Sequence, residues 1–246
     1  MPSKRVLIIT TSHSQMGDTG KKTGLWLEEL STPYYALKDA GLGVMLASIR
    51  GGEIPFDPAS IPAEAGSSTG EEPAEQQEVP ESVRRFLADE DAMRLARTSS
   101  AVDELAGEDY AALFMPGGHG TMWDYPGNAK LAEMIVAAAE QGKVVASVCH
   151  GPACLTGVTM LNGRPFVQGR RVTGFTNTEE EAVGLAKTVP FLLENRLKDL
   201  GAQFDRGPDW QPFAVVDGRL VTGQNPQSSE LVAKHVIGLL KEDEDA

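Results

Sequence analysis

The sequence predicts an α/β fold in which a mainly parallel sheet is covered by helices on both faces. Short apolar runs at 4–11, 44–49, 110–115 and 144–148 are typical of buried strands. Between the members of each pair of runs stands an amphipathic segment with a helical period. Because parallel strands need such crossover helices, this alternation indicates two βαβ units.

The first βαβ unit begins with the strand at 4–11, followed by a loop rich in glycine and polar residues. A helix is expected from about Thr23 to Gly41. Its apolar positions recur at three- and four-residue spacing, at Leu27, Leu30, Tyr34 and Leu37. In the second unit, the strand at 110–115 ends in Pro116-Gly117-Gly118 and an Ala-rich helix covers 128–141.

Residues 50–108 interrupt this alternation. The segment is rich in Pro, Gly, Ser and Glu at 63–80 and turns helical at 80–96. A connection of this length inside a compact domain is usually functional or disordered. We expect an ordered cap near a site, and the alternative is a mobile surface excursion. Residues 1–246 then form one α/β domain with a cap insertion at about 50–108.

The last third of the chain is predicted to add helices from about residue 152, from 177 and at 190–200. Two apolar runs around Asp217-Gly218 predict a β-hairpin. A closing helix is expected at 228–241.

The charge and the cysteine content limit the binding partners and the cellular compartment that are expected for this protein. With 22 basic and 35 acidic residues, the chain carries a net charge of −13. Nucleic acid and anionic membrane surfaces are not expected as partners, because both are bound by clustered cationic side chains. No segment reaches the roughly 18 consecutive apolar residues of a membrane span. The spacing of Cys149 and Cys154 does not favour a disulfide, so a cytoplasmic protein is expected.

The most informative stretch is Ser147-Val148-Cys149-His150-Gly151-Pro152. An apolar strand ends in a reactive residue with small neighbours at positions −2 and +2, the spacing of a strained strand-to-helix nucleophile elbow. A helix starting just after the elbow would lower the pKa of the Cys149 thiol. The alternative for Cys149 is a buried small apolar residue, which is the role expected for Cys154.

A thiolate needs a proton partner, and the chain contains four histidines: His13, His119, His150 and His235. His150 is adjacent to Cys149, whereas His235 lies within the closing helix. His119 lies on a Gly-rich loop after a strand, at the sheet edge where open α/β folds bind ligands. Backbone N–H groups of that loop can face an oxyanion, although the same pattern also fits a plain tight turn. No metal-ligand spacing of His or Cys occurs, so no metal is predicted.

Motifs along nearly the whole chain match one family. They are Lys22-Thr23-Gly24 with Glu29 and Pro33, Gly118-His119-Gly120-Thr121 with Asp124-Tyr125-Pro126, Cys149-His150-Gly151-Pro152, Thr173-Gly174-Phe175-Thr176, and 217–226 with its Gln224-Asn225-Pro226 end. Together they resemble the DJ-1/PfpI superfamily, and more narrowly its Hsp31-like glyoxalase III subgroup. The resemblance implies a flavodoxin-like three-layer sandwich of the class I glutamine-amidotransferase type.

The resemblance also implies roles for four residues. Cys149 is the nucleophile, His150 its neighbouring acid/base, and Glu180 the carboxylate that supports His150. Glu29 from the first helix projects over the cysteine and is often protonated, although its pattern alone would place it on the helix surface. Glutamates flank Glu180 on both sides, so the third member of the triad stays open between them.

The implied reaction is glutathione-independent conversion of methylglyoxal to lactate, with glyoxal as a related dicarbonyl substrate and without any cofactor. Candidate oxyanion and substrate-binding residues are Gly118, His119, Trp123 and Tyr125, with the His150 N–H as a second oxyanion donor. Alternatives are a Cys hydrolase, acting as protein deglycase or peptidase, and a holdase chaperone. A homodimer is expected. Zinc-binding chaperone-type relatives need a histidine in the inserted segment, and residues 50–108 have none.

Overall fold

The computed structural model describes residues 4–62, 79–105 and 107–243, and its centre is an eight-stranded sheet. The strands of the molecule are β1 Arg5–Thr10, β2 Gly43–Ser48, β3 Arg50–Gly52, β4 Ser99–Ala101, β5 Ala112–Met115, β6 Val144–Val148, β7 Arg171–Val172, β8 Gln203–Phe204, β9 Ala214–Asp217 and β10 Leu220–Gly223. The order in the large sheet is β3-β4-β2-β1-β5-β6-β10-β9, and β7 pairs with β8 separately. Only the edge pairs β3/β4 and β9/β10 are antiparallel in the described sheet. The predicted mainly parallel α/β fold is confirmed.

The α-helices connect and cover these strands. They are α1 Leu27–Asp39, α2 Glu81–Ala88, α3 Glu90–Arg97, α4 Thr121–Asp124, α5 Ala129–Glu140, α6 Asn177–Ala182, α7 Leu193–Asp199 and α8 Ser229–Glu242. In the described part of the chain, no helix combines the length and apolar character needed to cross a bilayer.

Strand β1 shows why the molecule has three layers. Val6 and Ile8 belong to one buried cluster, with residues of α1 and α8, whereas Leu7 and Ile9 belong to another, with residues of α5. Because side chains alternate along a strand, a continuous apolar run supplies a core on each face of the sheet. Strands β1, β5 and β6 are neighbours that pair in parallel, so their carboxyl ends meet at one edge of the sheet. The loops that carry the candidate residues begin at this edge.

Three predicted helices differ from the observed ones. The first begins at Leu27 rather than Thr23, because Leu25 pairs in extended form with the backbone of Pro55 and Asp57. The stretch at 80–96 is two helices, since Asp89 stops α2 and caps α3 by accepting the N–H of Ala92 at 3.0 Å.

The helix predicted from about residue 152 is a short 3₁₀ helix, Gly151–Leu155. Its bonds run from the Ala153 N–H to the His150 carbonyl and from the Thr156 N–H to the Ala153 carbonyl. The Thr156 hydroxyl also donates to the Ala153 carbonyl at 2.8 Å, and such a local side-chain bond competes with helix propagation.

The inserted segment extends one edge of the sheet and covers α1. Strands β3 and β4 lie at its two ends, and Phe86 of α2 packs edge-to-face against Tyr34 of α1 at 5.5 Å between ring centroids. The Pro-, Gly- and Ser-rich part of the predicted cap, from 63 to 78, lies outside the described residues. The cap therefore stays a prediction.

Candidate active site

Cys149 lies at a strained turn immediately after β6. Its φ of 60° is in the left-handed region that residues with a Cβ rarely adopt. A Cβ on Gly151 would stand 2.2 Å from the Met115 carbonyl oxygen, so only glycine permits the close approach to β5. The geometry matches the nucleophile elbow expected from the small residues around Cys149.

His150 lies between the thiol and a carboxylate. Its Nδ1 is 3.3 Å from Cys149 Sγ, and its Nε2 is 2.7 Å from Glu180 Oε2. A carboxylate only accepts hydrogen bonds, so Nε2 carries the proton and Nδ1 presents its lone pair to the thiol. Burial and the neighbouring His119 lower the pKa of His150, which keeps the ring neutral and able to accept a proton.

Glu180 has a second imidazole partner that sequence reasoning missed. His119 Nε2 lies 2.7 Å from Glu180 Oε1, and the His119 and His150 rings are 4.1 Å apart. The structure thus makes His119 a donor to Glu180, beyond the oxyanion and substrate-binding role predicted for it. A usable signal was present, because β5 and β6 are neighbours and bring the loops that follow them to the same edge. Burial alone would raise the pKa of Glu180, but the two histidines more than offset this and hold it well below its usual range.

The three consecutive glutamates at 179–181 have different environments. Glu180 faces the histidines, Glu181 is exposed, and Glu179 turns into the protein to accept the N–H of Thr176 at 3.1 Å. Thr176 in turn accepts the N–H of Glu179, a reciprocal capping box that starts α6 and sets its rotation. Among these acids only Glu180 reaches His150, which favours it as the third member of the triad.

Glu29 of α1 is wholly buried beside the elbow. Its Oε2 accepts the N–H of Gly117 at 2.7 Å, while Oε1 is buried without a hydrogen-bond partner among the described residues. Burial raises the pKa of Glu29 well above its ordinary value, and interactions with the Cys149 thiol and the Gly117 N–H offset only part of this. Burial therefore favours the protonated form of Glu29 beside the thiol.

The expected lowering of the Cys149 pKa is wrong. Burial raises the pKa of the thiol well above its ordinary range, and the N–H of His150 offsets only part of this. The short 3₁₀ helix after the elbow does not supply the dipole of a full α-helix. The resting cysteine is a thiol, so its activation depends on proton transfer to His150.

The Gly-rich loop after β5 packs tightly against the start of α1. A Cβ on Gly118 would stand 2.3 Å from the Gly24 carbonyl oxygen, and its φ of 98° also requires glycine. Within the described residues, the Gly118 N–H donates to no acceptor, and the His150 N–H interacts with the Cys149 sulfur. The Gly118 N–H is therefore available for the oxyanion role predicted for it, whereas the His150 N–H is engaged by the sulfur in the resting site.

The two aromatic candidates have other contacts. Tyr125 is buried in the core, where its hydroxyl donates to the carbonyls of Ile9 at 2.8 Å and Pro116 at 3.1 Å. This geometry supports a role in holding the loop after β5 rather than a contact with substrate. Trp123 of α4 is half-buried and stacks on His13 at 5.2 Å, not on a catalytic side chain.

A metal ion has one set of potential ligands in the described part of the chain. One ligand atom each from His119, His150 and Glu180 lie within 4.8 Å of one another, and two imidazoles with a carboxylate are a common transition-metal set. The Nε2 atoms of His119 and His150 already donate to Glu180, so a metal bound through them would displace both of these hydrogen bonds. No sequence spacing could reveal this set, because its members come from three separate elements.

Known proteins are similar to this chain over nearly its full length. The sequence profile of the DJ-1/PfpI family matches residues 23–238. The chain belongs to the DJ-1/PfpI family. Within this family, the glutathione-independent glyoxalase HSP31 of Saccharomyces cerevisiae is 31% identical over 98% of this chain and 100% of its own length. Glyoxalase 3 of Candida albicans is 31% identical over 95% of this chain and 97% of its own length.

Solved structures of similar proteins share the whole fold. Rapid Encystment Protein 24 KDa of Francisella tularensis superposes with a TM-score of 0.87 at 37% identity, covering 96% of this chain and 98% of its own. Glyoxalase III of Candida albicans superposes with a TM-score of 0.80 at 27% identity, covering 96% of both chains. The flavodoxin-like DJ-1/PfpI sandwich expected from the motifs is confirmed.

Proposed function

We propose that this protein is a glutathione-independent glyoxalase that converts methylglyoxal to lactate with its own side chains. The observation that carries the proposal is the hydrogen-bonded chain from Cys149 Sγ through His150 to Glu180, with the buried Glu29 carboxyl beside the thiol. Similarity over the full chain to proteins named as glutathione-independent glyoxalases supports the same assignment. Glyoxal is the smaller dicarbonyl substrate of the same class.

The first step is addition of the thiol to the aldehyde carbon, C1. Cys149 gives its proton to His150 Nδ1 as the S–C1 bond forms, and the C1=O electrons move to oxygen. The N–H groups of Gly118 and His150 stabilise this oxyanion, and protonating it completes the hemithioacetal. Glu180 stabilises the positive charge on His150 and holds its ring in place.

The second step moves hydrogen from C1 to C2. Either Glu29 or His150 removes the C1 proton, and the C–H electrons form the C1=C2 bond of an enediol as the C2 oxygen gains a proton. Burial raises the pKa of Glu29 and favours its protonated form, from which it would first give its proton to an oxygen of the substrate before acting as the base. Protonation at C2 and return of the C1 carbonyl give the lactate thioester.

Water completes the reaction. It adds to the thioester carbon, the C1–S bond breaks, and the sulfur electrons take back a proton to restore the thiol. The sum is methylglyoxal plus water giving lactic acid, with no external oxidant or reductant. Water must stay away from the enediol until then, a role we propose for the inserted segment as a cap.

Two alternatives stay predictions. A deglycase or peptidase would use the same triad on a larger substrate, and a holdase would bind unfolded clients whether or not Cys149 reacts. A homodimer is likewise still an expectation from the family resemblance, and a cytoplasmic location is still an expectation from the cysteine spacing.

The test measures methylglyoxal consumption and lactate formation together, without glutathione or added metal and in a buffer free of amines. Purified wild-type protein, Cys149→Ala and Glu29→Gln are compared, with Glu140→Gln, an exposed acid on α5, as the control for loss of charge. We expect lactate from the wild type and Glu140→Gln, none from Cys149→Ala and little from Glu29→Gln.

Full turnover by Cys149→Ala, or no lactate from folded wild type with a reduced thiol, would contradict the proposal. Suppression of aggregation of an unfolded client is measured in parallel. If it survives in Cys149→Ala while lactate formation is lost, the holdase activity is separate from the site.

A further inference from the structure

Only two non-glycine residues in the described chain have a positive φ: Cys149 and Trp210, both at 60°. Such backbone strain persists where the surrounding structure holds it in place, and it concentrates at functional sites. The elbow explains Cys149. Trp210 lies in the loop between β8 and β9, remote in sequence from every residue of the mechanism, and no motif singled it out.

A buried carboxylate that the mechanism does not use holds the backbone of Trp210. Glu179 Oε1 accepts hydrogen bonds from the Trp210 N–H at 2.9 Å, Gln224 Nε2 at 3.1 Å and Asn225 Nδ2 at 2.8 Å. Its Oε2 is taken by the N–H and hydroxyl of Thr176. Glu179 therefore joins α6, the Trp210 loop and the Gln224-Asn225 motif, which had no role so far.

The indole of Trp210 is connected to the catalytic histidine through one ring. It packs edge-to-face on Phe175 at 5.7 Å, and Phe175 lies 4.3 Å from the His150 ring. Phe175 also donates its N–H to the Cys149 carbonyl at 2.8 Å. His119 lies 4.1 Å from His150, so both rings contact the catalytic imidazole. Phe175 is buried, whereas Trp210 is 37% exposed and forms the outer end of this stack.

We propose that Trp210 is a positioning residue for His150, acting through Phe175 and anchored by Glu179. The indole keeps Phe175 pressed against the imidazole, which holds Nδ1 on the thiol and keeps water from the outer side of the ring. The backbone of Trp210 is strained because this residue must place its indole on Phe175 and also direct its N–H to Glu179. The effect on lactate formation rests on the proposed function, whereas the effect on the Cys149–His150 pair does not.

Three substitutions, compared with a fourth as control, distinguish the effect of the Trp210 indole from that of the loop backbone. Trp210→Gly removes the ring and relieves the φ strain, Trp210→Phe keeps an aromatic edge, and Glu179→Gln sets an amide N–H₂ against donors and loosens the anchor. Leu161→Ala, at an 84% exposed apolar residue, is the control. We expect kcat to fall about three- to tenfold in Trp210→Gly and in Glu179→Gln with KM nearly unchanged, and most activity to remain in Trp210→Phe. Leu161→Ala should match the wild type.

The pH profile gives a readout that a purely structural role would not move. Cys149 Sγ lies 3.3 Å from the His150 ring, and three other titratable groups act on that ring electrostatically: His119, Glu180 and the more distant Glu179. Trp210→Gly changes none of these groups but lets water reach the imidazole of His150. Hydration favours the imidazolium, so the acid limb of kcat/KM, and that of Cys149 alkylation by iodoacetamide, should move to higher pH.

Three results would overturn the proposal. One is wild-type kcat and pH profile in Trp210→Gly; another is a loss equal in Trp210→Phe and Trp210→Gly. The third is a loss fully explained by a lower melting temperature. The alkylation profile needs no substrate, so it tests the positioning role even if the wild type makes no lactate.

Discussion

Glu180 accepts a hydrogen bond from His150 Nε2 at 2.7 Å, and this contact decides which nitrogen of the imidazole faces the cysteine. With the proton held on Nε2, the Nδ1 lone pair lies 3.3 Å from Cys149 Sγ. A neutral amide in place of the carboxylate could donate to Nε2 instead and would then favour the opposite tautomer. The proposed base therefore depends on a carboxylate that a separate element, α6, supplies.

Glu180→Gln should lower kcat by about 100-fold or more, because the amide no longer enforces the Nε2–H tautomer or stabilises the imidazolium. Glu181→Gln is the matched control, since Glu181 is the exposed neighbour on the same helix. Steady-state lactate formation by the two variants checks this. Equal activity in both would remove Glu180 from the mechanism.

The acid limb of the wild-type pH profile should lie below the ordinary histidine range. Burial and His119 lower the pKa of His150, and only the neutral ring can take the thiol proton. Activity is therefore retained as pH falls until His150 becomes protonated below about pH 6.5. A profile of kcat/KM against pH checks this, and an acid limb above the ordinary range would mean that His150 is not the base.

Glu29→Gln should flatten the decline of stability with rising pH. The folded-state pKa of Glu29 is raised, so its contribution is fully present below the ordinary carboxyl pKa and is lost as pH rises toward the folded pKa. Over that window the native state holds one more proton than the unfolded state, a slope of up to about 1.4 kcal/mol per pH unit. Urea unfolding at several pH values measures it. The expected slope should persist in Glu140→Gln; a wild-type slope in Glu29→Gln would show that Glu29 ionises normally.

Tyr125→Phe should reduce stability with little effect on KM. Removing the hydroxyl leaves the buried carbonyls of Ile9 and Pro116 without this donor, at a cost of about 1–3 kcal/mol. Tyr110→Phe is the control, because the half-buried Tyr110 hydroxyl has no hydrogen bond within the described chain. Chemical denaturation and methylglyoxal kinetics distinguish the two roles, and a raised KM at unchanged stability would favour substrate contact.

Activity should survive removal of metal ions. The proposed steps use only side chains and water, and the ligand atoms of His119 and His150 are engaged by Glu180. Prolonged dialysis against EDTA, followed by the lactate assay and metal analysis, tests this. Loss of activity that zinc restores would instead make this histidine and glutamate cluster a functional metal site.

Much of the architecture could be predicted because it depends on local pattern. The strand at 144–148 and the hairpin turn at Asp217-Gly218 were predicted at the residues where they occur. Apolar runs and turn residues act over a few positions and need no knowledge of the rest of the chain. The position of Cys149 could be predicted for the same reason, since the small residues around it specify the elbow on which it lies.

The sequence by itself determined the βαβ alternation and the elbow, and through the family motifs it predicted which residues serve as the nucleophile and its acids. Only the tertiary structure decided that His119 shares Glu180, that Tyr125 is part of the core, and that the thiol is held protonated beside Glu29. The physical reason is that hydrogen-bond partners and pKa values depend on burial and on charges from separate elements. Those elements meet only when the sheet brings the ends of its strands to one edge.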